Sequence, residues 1–471
     1  MKRQLYILLF LVCAFSSQAQ EEWSLQRCVE YALENNLTVQ QGEISVDIAE
    51  IDQTQAKHSR YPNLNFSTGI NSNFGRSTDP ITNTNVTENF ISNNIQLSSG
   101  VTLFNGFRIS NTIKRTAIDK KASEYDLEQS KRDISLNVAN FYLNVLFAQE
   151  NLGIAQSQLE TSQEQLVQTQ KLIDAGVRPA NEALDIEAQI ATNEQTVINA
   201  ENSKEIALLN LKQLLRLDPD VSMELTAPDN VDVISDPDLL TFTEVYNSAL
   251  SAQYNVRAAD LRVESAFLDE KIAKASLLPV VNFGASIVSN YSNKGVQVES
   301  ISTALVGQNV FIDGLPALIE TEQDFPNLID NPYFNQLDDN LSYGFGVSLS
   351  YPIYNNYSNR LGVERAKLGI ANAQNLSEQT KDNLKITVQQ ALADAKASKR
   401  KLNAAEKSVA AQDASFKNAE KRFNAGTINS FEYVSIKNAF IQAEFNAVLS
   451  KYEYLFNMKV LDFYMGKPIN L

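Results

Sequence analysis

The chain has 471 residues, 56 of them Asp or Glu against 40 Lys or Arg, giving a formal net charge of −16, and it carries only two cysteines. An acidic chain offers no basic field for phosphate, which sets aside nucleic acid as a partner, and two cysteines build no disulfide framework. No stretch beyond the N-terminal apolar run reaches the ~18 apolar residues of a membrane-spanning helix, so the physical options are a soluble exported protein or a β-barrel, whose strands face lipid only at alternate positions.

Lys2 and Arg3, the apolar run 5–15 and the small polar segment Ser16, Ser17, Gln18, Ala19 read as a secretory signal peptide over residues 1–19. Cys28 is then the single thiol of the mature chain, and stability must come from packing or oligomerisation. Past the signal the chain repeats itself. Residues 24–66 overlay 241–283 without a gap at an offset of 217, matching Ala32 and Leu33 with Ala249 and Leu250, Val39 with Val256, and Pro62 with Pro279. Residues 95–214 overlay 345–464 at an offset of 250, which places 33 extra residues in the second copy between Asn290 and Asn340. A period of this kind is read before any element is assigned. The first repeat covers 20–217, with a helix, a strand pair over 63–104 and a helical hairpin over 109–217; the second covers 241–465, with a helix, a strand pair over 280–354 that encloses an acidic loop at 291–340, and a hairpin over 358–465. The proline-containing, acidic segment 218–240 is a linker, and 466–471 is a tail.

The opening helical segment, 25–60 or 242–277, ends before Pro62 or Pro279, because proline disfavours helix in the residue before it. The strands that follow alternate. Leu64, Phe66 and Ile70 oppose Asn63, Asn65, Ser67 and Asn71, while Tyr343, Phe345, Val347 and Leu349 oppose Ser342, Gly344, Gly346 and Ser348. An ordinary sandwich gives the same alternation. Rows of Asn, Ser and Gly almost without charge suit a hydrated barrel interior better than a free surface, where Lys and Glu collect.

From about 109 to 175 nothing breaks a helix, which at ~1.5 Å per residue reaches roughly 100 Å. Val138, Val145, Leu152, Leu159, Leu166 and Ile173 recur every seven residues, as do Val388, Ala395, Leu402, Val409, Phe416 and Phe423, the spacing of a left-handed coiled coil. The partner is the next helix, 181–217 or 431–465, folded back antiparallel. Ala175-Gly176 and Ala425-Gly426 end the long helices in the left-handed conformation, Pro179 starts the next, and Asn429 with Glu432 fits a capping box.

Four strands do not close a membrane barrel, which needs about eight, and an open sheet edge is not tolerated in lipid. The barrel must be shared: two chains give eight strands and three give twelve, and the pattern does not choose between them.

The opening WSLQRCVEYALENNLTV, the strand pairs ending LFNG (103–106) and IYNN (353–356), and the duplicated Ala-Gly hairpins resemble the outer-membrane efflux protein family typified by TolC, over nearly the whole mature chain. The resemblance implies an α+β membrane protein: a homotrimer whose coiled-coil helices form a periplasmic α-barrel and whose four strands per chain make a shared twelve-stranded transmembrane β-barrel. It implies an exit duct in the outer membrane of a Gram-negative bacterium, serving a tripartite pump with a periplasmic membrane-fusion adaptor and an inner-membrane pump of RND or ABC type. By that likeness the adaptor contacts are the tips Gly176, Val177, Arg178 and Pro179 with Gly426, Thr427 and Ile428. An acidic ring at the pore mouth falls on Glu432 and on Ser435, where this chain lacks the second acid; Glu432 also reads simply as a helix cap.

An enzyme needs converging polar groups, and the one histidine, His58, has no Cys or second His beside it, so it reads as a surface residue. No phosphate-binding glycine loop, metal set or cofactor site is expected. The segment 291–340 holds eight acids against Lys294 alone and reads as an acidic extracellular cap or a disordered polar loop. Two other readings stay open: a duct for type I protein secretion, and a coiled-coil spacer with no pore.

Overall fold

The computed structural model describes residues 22–78, 83, 85–87, 89–226, 236–312 and 314–467. The signal peptide expected at 1–19 lies outside these residues, as do 227–235 of the linker and 468–471 of the tail. In chain order the main elements are α1 (Leu25–Asn35), α2 (Leu37–His58), β1 (Asn63–Asn73), β2 (Phe90–Phe104), α3 (Arg108–Asp174), α4 (Asn181–Leu215), α5 (Phe242–Ala252), α6 (Tyr254–Ala275), β3 (Val280–Ser292), β4 (Val296–Ile312), β5 (Leu315–Asp330), α7 (Tyr333–Asp339), β6 (Ser342–Ser350), α8 (Ser358–Asn424) and α9 (Ser430–Tyr464). Two compact units result, each drawn from both repeats. One takes the described residues within Met1–Ile51, Ala117–Ala266 and Ile370–Leu471; the other takes those within Asp52–Thr116 and Phe267–Gly369.

The first unit is helical, and its two cores correspond residue by residue. Cys28, Ala32, Val39, Val138, Tyr142 and Leu211 are buried in one; Val245, Ala249, Val256, Val388, Leu392 and Leu461 hold the equivalent places in the other. Cys28 thus acts as a small apolar side chain matched by Val245, and burial pushes its thiol up to about 12, well away from the reactive thiolate. Tyr142 closes the first core by donating its hydroxyl to the carbonyl of Thr226 at 2.6 Å.

The opening helical segment is not continuous in either repeat, a correction to the expected helices 25–60 and 242–277. Asn36 and Gln253, equivalent under the 217 offset, are extended with ψ of 130° and 121°. Asn36 Oδ1 accepts the Thr38 N–H at 2.8 Å while its Nδ2 donates to the Leu214 carbonyl at 3.5 Å. Gln253 Nε2 donates to the carbonyls of Phe463 at 3.1 Å and Tyr464 at 3.5 Å. A polar side chain that satisfies nearby backbone groups competes with the helix and stops it.

The second unit is built on one antiparallel sheet of order β6-β3-β2-β1. Its register carries the predicted alternation across all four strands. The rows Leu64–Ser99–Ala285–Phe345 and Phe66–Leu97–Ile287–Tyr343 share one face; Asn63–Gly100–Gly284–Gly346 and Asn65–Ser98–Ser286–Gly344 share the other. Polar groups bond to one another on the wet side, with Asn94 Nδ2 donating to Asn290 Oδ1 at 2.8 Å and Thr102 Oγ1 to Asn282 Oδ1 at 2.9 Å.

Within 291–340 the described residues build a hairpin and a short helix, which sets aside the alternative of a disordered loop. β4 and β5 pair from Val296↔Asp330 to Ile312↔Leu315, with one bulge between Val298 and Ser300. At its base α7 clasps β3: buried Gln336 accepts the Ser292 N–H at 3.0 Å and donates to the Ser292 carbonyl at 2.9 Å and the Asn331 carbonyl at 2.7 Å. Tyr333 adds a bond to Asn93 Oδ1 at 2.7 Å. The contacts to Ser292 and Asn93 lie 44 or more residues apart in sequence, out of reach of any local pattern.

Candidate functional site

The two hairpin tips are made the same way. Gly176 and Gly426 both have φ of +72°, where a Cβ is strained whatever room surrounds it. The N–H groups of Gly176 and Val177 return to the carbonyls of Ile173 at 2.8 Å and Leu172 at 2.9 Å; those of Gly426 and Thr427 return to Phe423 at 3.0 Å and Arg422 at 2.9 Å. This paired bonding satisfies the last free carbonyls of each long helix and turns the chain back. Asn429 Oδ1 accepts the Glu432 N–H at 2.8 Å, which is half of the expected capping box. The Glu432 carboxylate points instead to Arg422, 3.4 Å away and half exposed, which corrects the reciprocal box.

Among the residues singled out from sequence, Gly176, Val177, Pro179, Gly426 and Thr427 are exposed at the tips, as are Glu432 and Ser435 one turn further on. Arg178 and Ile428 are placed differently: both are buried, at equivalent positions of the two turns. Arg178 pairs with Glu182 at 2.5 Å, donates to the Phe423 carbonyl and lies over the Phe423 ring at 4.0 Å. A guanidinium from the first tip thereby caps the long helix of the second. Ile428 packs with Ala419, Phe423 and Tyr433, extended by Phe416 and Phe440, whose rings stack at 5.4 Å.

The seven-residue spacing puts Ser162 and Thr169 on the seam, three places after Leu159 and Leu166, but sequence reasoning missed that they belong to a buried polar layer behind the first tip. Ser162, Gln165, Thr169 and Asn193 are buried where α3 packs on α4, and Lys437 of α9 reaches in to bond Ser162 Oγ at 3.0 Å. Asn193 Nδ2 donates to the same hydroxyl at 2.8 Å, and Gln189 donates to Asn193 Oδ1 at 2.8 Å. Burial holds Lys437 down at about 8, against the pull of Glu420. The signal was readable: Tyr433, Lys437 and Phe440 fall at helix spacing on one stripe. Beside this layer, α3, α4 and α9 enclose a cavity of about 440 Å³ lined by Gln158, Gln189, Asn193, Gln442, Ile154 and Phe445, among others.

The sheet supplies the second feature. Phe66 and Ile70 on β1 are 67% and 77% exposed, and Tyr343 and Phe345 on β6 are 85% and 82% exposed, although all four are large and apolar. They stand on the two outermost strands, each with an edge that has no partner among the described residues. An apolar face of this extent on an open sheet has two physical uses, lipid and a second chain. Among the described residues no helix is long and apolar enough to cross a membrane. His58 sits on the surface near the end of α2, its Nδ1 2.8 Å from the Thr54 carbonyl.

Comparison with known proteins agrees with this arrangement. The outer membrane efflux protein family matches residues 28–215 and again 245–467. An uncharacterised protein of Haemophilus influenzae is 29% identical over 133 residues, a stretch that spans 28% of this chain and 29% of that relative's length. The fold is similar to that of the outer-membrane channel CmeC of Campylobacter jejuni, with a TM-score of 0.73 at 16% identity over 94% of this chain and 85% of that one. It is also similar to that of the outer-membrane protein VceC of Vibrio cholerae, with a TM-score of 0.73 at 13% identity over 95% and 97%. The fold is similar to that of these outer-membrane channels, and the family match falls twice, once on each repeat. The chain belongs to the outer membrane efflux protein family, which places it in the outer membrane, extending into the periplasm, as an efflux duct. The pore-free spacer is thereby set aside.

Proposed function

We propose that three copies of this chain close a twelve-stranded barrel and a periplasmic helical tube, forming the exit duct of a tripartite system that exports small molecules. The observation that carries this reading is the sheet: one face mainly apolar, the other mainly uncharged Asn, Ser, Gly and Thr, with both edges unpaired among the described residues. An open edge in hydrocarbon costs several kcal/mol for each unsatisfied backbone group, so neighbouring copies must supply the missing partners. Channels of this family generally form trimers and work with an adaptor and an inner-membrane pump. At the periplasmic end the adaptor engages the exposed positions Gly176, Val177, Pro179, Gly426 and Thr427, while Arg178 and Ile428 act from beneath by holding the turns. Glu432, with Ser435 in place of a second acid, rings the mouth with three carboxylates rather than six and gives a weak preference for cations.

The assembly is tested by native mass measurement of the detergent-extracted protein, read together with gel mobility before and after heating. A three-chain species with heat-dependent mobility supports the reading; a single chain that needs no detergent contradicts it.

A further inference from the structure

The 33 residues by which the second repeat exceeds the first are spent mainly on the β4–β5 hairpin, and its two edges differ in kind. β5 carries Pro316 and Pro326, which pair with Phe311 and Ile301. A proline inside a ladder has no N–H to give, so these pairs are the ones whose backbone groups face away from the partner strand. Every second residue shares that orientation. On β5 the free edge therefore presents Leu318, Glu320, Glu322 and Asp324, bracketed by two prolines. Charges and prolines are the devices that keep a strand edge from pairing. On β4 the same rule turns Ile301, Thr303, Leu305, Gly307 and Asn309 outward, with no proline, no lysine and no charge, the single acid of that strand being Glu299 at the bulge. Ile301 and Leu305 are each 63% exposed.

A second copy fits this edge poorly. Three chains around an axis would have to seat β4 of one on the blunted edge of β5 of the next, and a two-fold pairing of β4 with β4 leaves one chain of three alone. The charge points to a different occupant. Residues 296–330 hold six acids and no Lys or Arg. Asp324, Glu322 and Glu320 stand opposite Thr303, Leu305 and Gly307, and so share the face of the outward-bonding residues of β4. A strand added to β4 lies two strand spacings from β5, roughly 10 Å, within combined reach of a lysine or arginine stem and a glutamate.

We propose that the free edge of β4 is a docking site for an extended, lysine- or arginine-bearing segment of a partner polypeptide, bound by strand addition. The hairpin leaves the sheet at the end opposite the helices, since β1, β3 and β6 meet α2, α6 and α8 at their other ends. The docking site then faces the cell exterior, a placement that rests on the duct reading.

The test uses the full-length protein in detergent and a labelled synthetic peptide of about ten residues, a strand's length, alternating lysine with valine and threonine. Fluorescence anisotropy reads its binding. Binding is expected to wild type, to fall at least roughly tenfold for Leu305→Pro, which removes one outward N–H and leaves the hairpin's own ladder intact, and to fall about 2- to 30-fold with weaker salt dependence for Glu320→Gln/Glu322→Gln. Methylating alternate backbone amides of the peptide abolishes binding even if Leu305→Pro folds poorly. The proposal is overturned if the peptide does not bind wild type, if its glutamate counterpart binds equally well, or if Leu305→Pro changes the native mass, which would mean that the edge joins copies of this chain. Single-channel conductance stays unchanged in both variants. A wild type that binds peptide but forms no pore would overturn the duct reading and with it the exterior placement, leaving the strand edge standing.

Discussion

The two hairpin tips share a backbone and differ in chemistry. Each ends its long helix with a glycine at φ of +72° and the same pair of returning hydrogen bonds. At the equivalent positions 178 and 428 one tip buries an arginine and the other an isoleucine, and behind them lie a polar layer of Ser162, Thr169 and Asn193 in the first and an aromatic stack of Phe416, Phe423 and Tyr433 in the second. Duplication has thus kept the geometry that makes a hairpin and let the packing diverge. Aromatic packing contributes through buried area and ring contacts. A polar layer contributes register more than strength, because its buried donors have given up water, Asn193 for the Ser162 hydroxyl and Thr169 for no partner among the described residues. The first hairpin therefore depends on a few specific bonds, and the second on apolar mass.

Removing Arg178 is the strongest way to break that contrast. Arg178→Ala leaves the largely covered Glu182 without its cation and strips the cap from α8, at a cost of about 3–5 kcal/mol. Ile428→Ala costs ~2–5 kcal/mol by cavity formation. Hydrogen exchange separates the two: amides of both turns gain exchange in Arg178→Ala, whereas Ile428→Ala loosens only residues near 423–433. Equal behaviour of the two variants would remove the asymmetry.

Lys437 gives the next largest effect. Its folded-state value, about 8, lies below the ordinary 10.5, so the neutral amine is favoured in the folded protein. The burden on stability is fully present below pH ~8 and is relieved as pH rises to ~10.5, a gain of the order of 3–4 kcal/mol at about 1.4 kcal/mol per unit. Thermal unfolding is expected to show wild type gaining on Lys437→Met across that window; parallel curves would show that the amine is not held down.

Gly176→Ala and Gly426→Ala should each cost about 1 kcal/mol, equally in both tips, because that cost belongs to backbone rather than to packing. Unequal losses would show that the divergent cores reach into the turns. The smallest effect on stability is that of Glu432→Gln, below ~1 kcal/mol for a half-exposed pair with Arg422. Its value is as a probe of ion preference: reversal potentials in a salt gradient should move toward non-selectivity, and an unchanged potential would remove Glu432 from the mouth.

Most of the architecture was legible because it is periodic. Gapless offsets of 217 and 250, alternation from Leu64 to Ile70 and from Tyr343 to Leu349, and seven-residue rows through α3 and α8 are one-dimensional signals of two- and three-dimensional order. What escaped depends on partners far along the chain. The breaks at Asn36 and Gln253 carry no proline or glycine and are fixed by carbonyls 178 and 210 residues away. Arg178 turns inward because Phe423 lies across from it. The β4–β5 hairpin sets Glu320, Glu322 and Asp324 on the same face as Leu305 and Leu318, so its alternation is faint, and the clasp of α7 on β3 helps to seat its base. At the tips, the glycines and the Asn429 cap were legible as turn chemistry, whereas the buried contacts that separate the two tips were not.

The duct itself is tested most directly by recording single-channel currents from the purified, detergent-extracted protein in planar bilayers. The shared barrel predicts discrete, long-lived conductance steps from the three-chain species. A homogeneous, folded preparation that inserts no pore under any pH or voltage applied would contradict it.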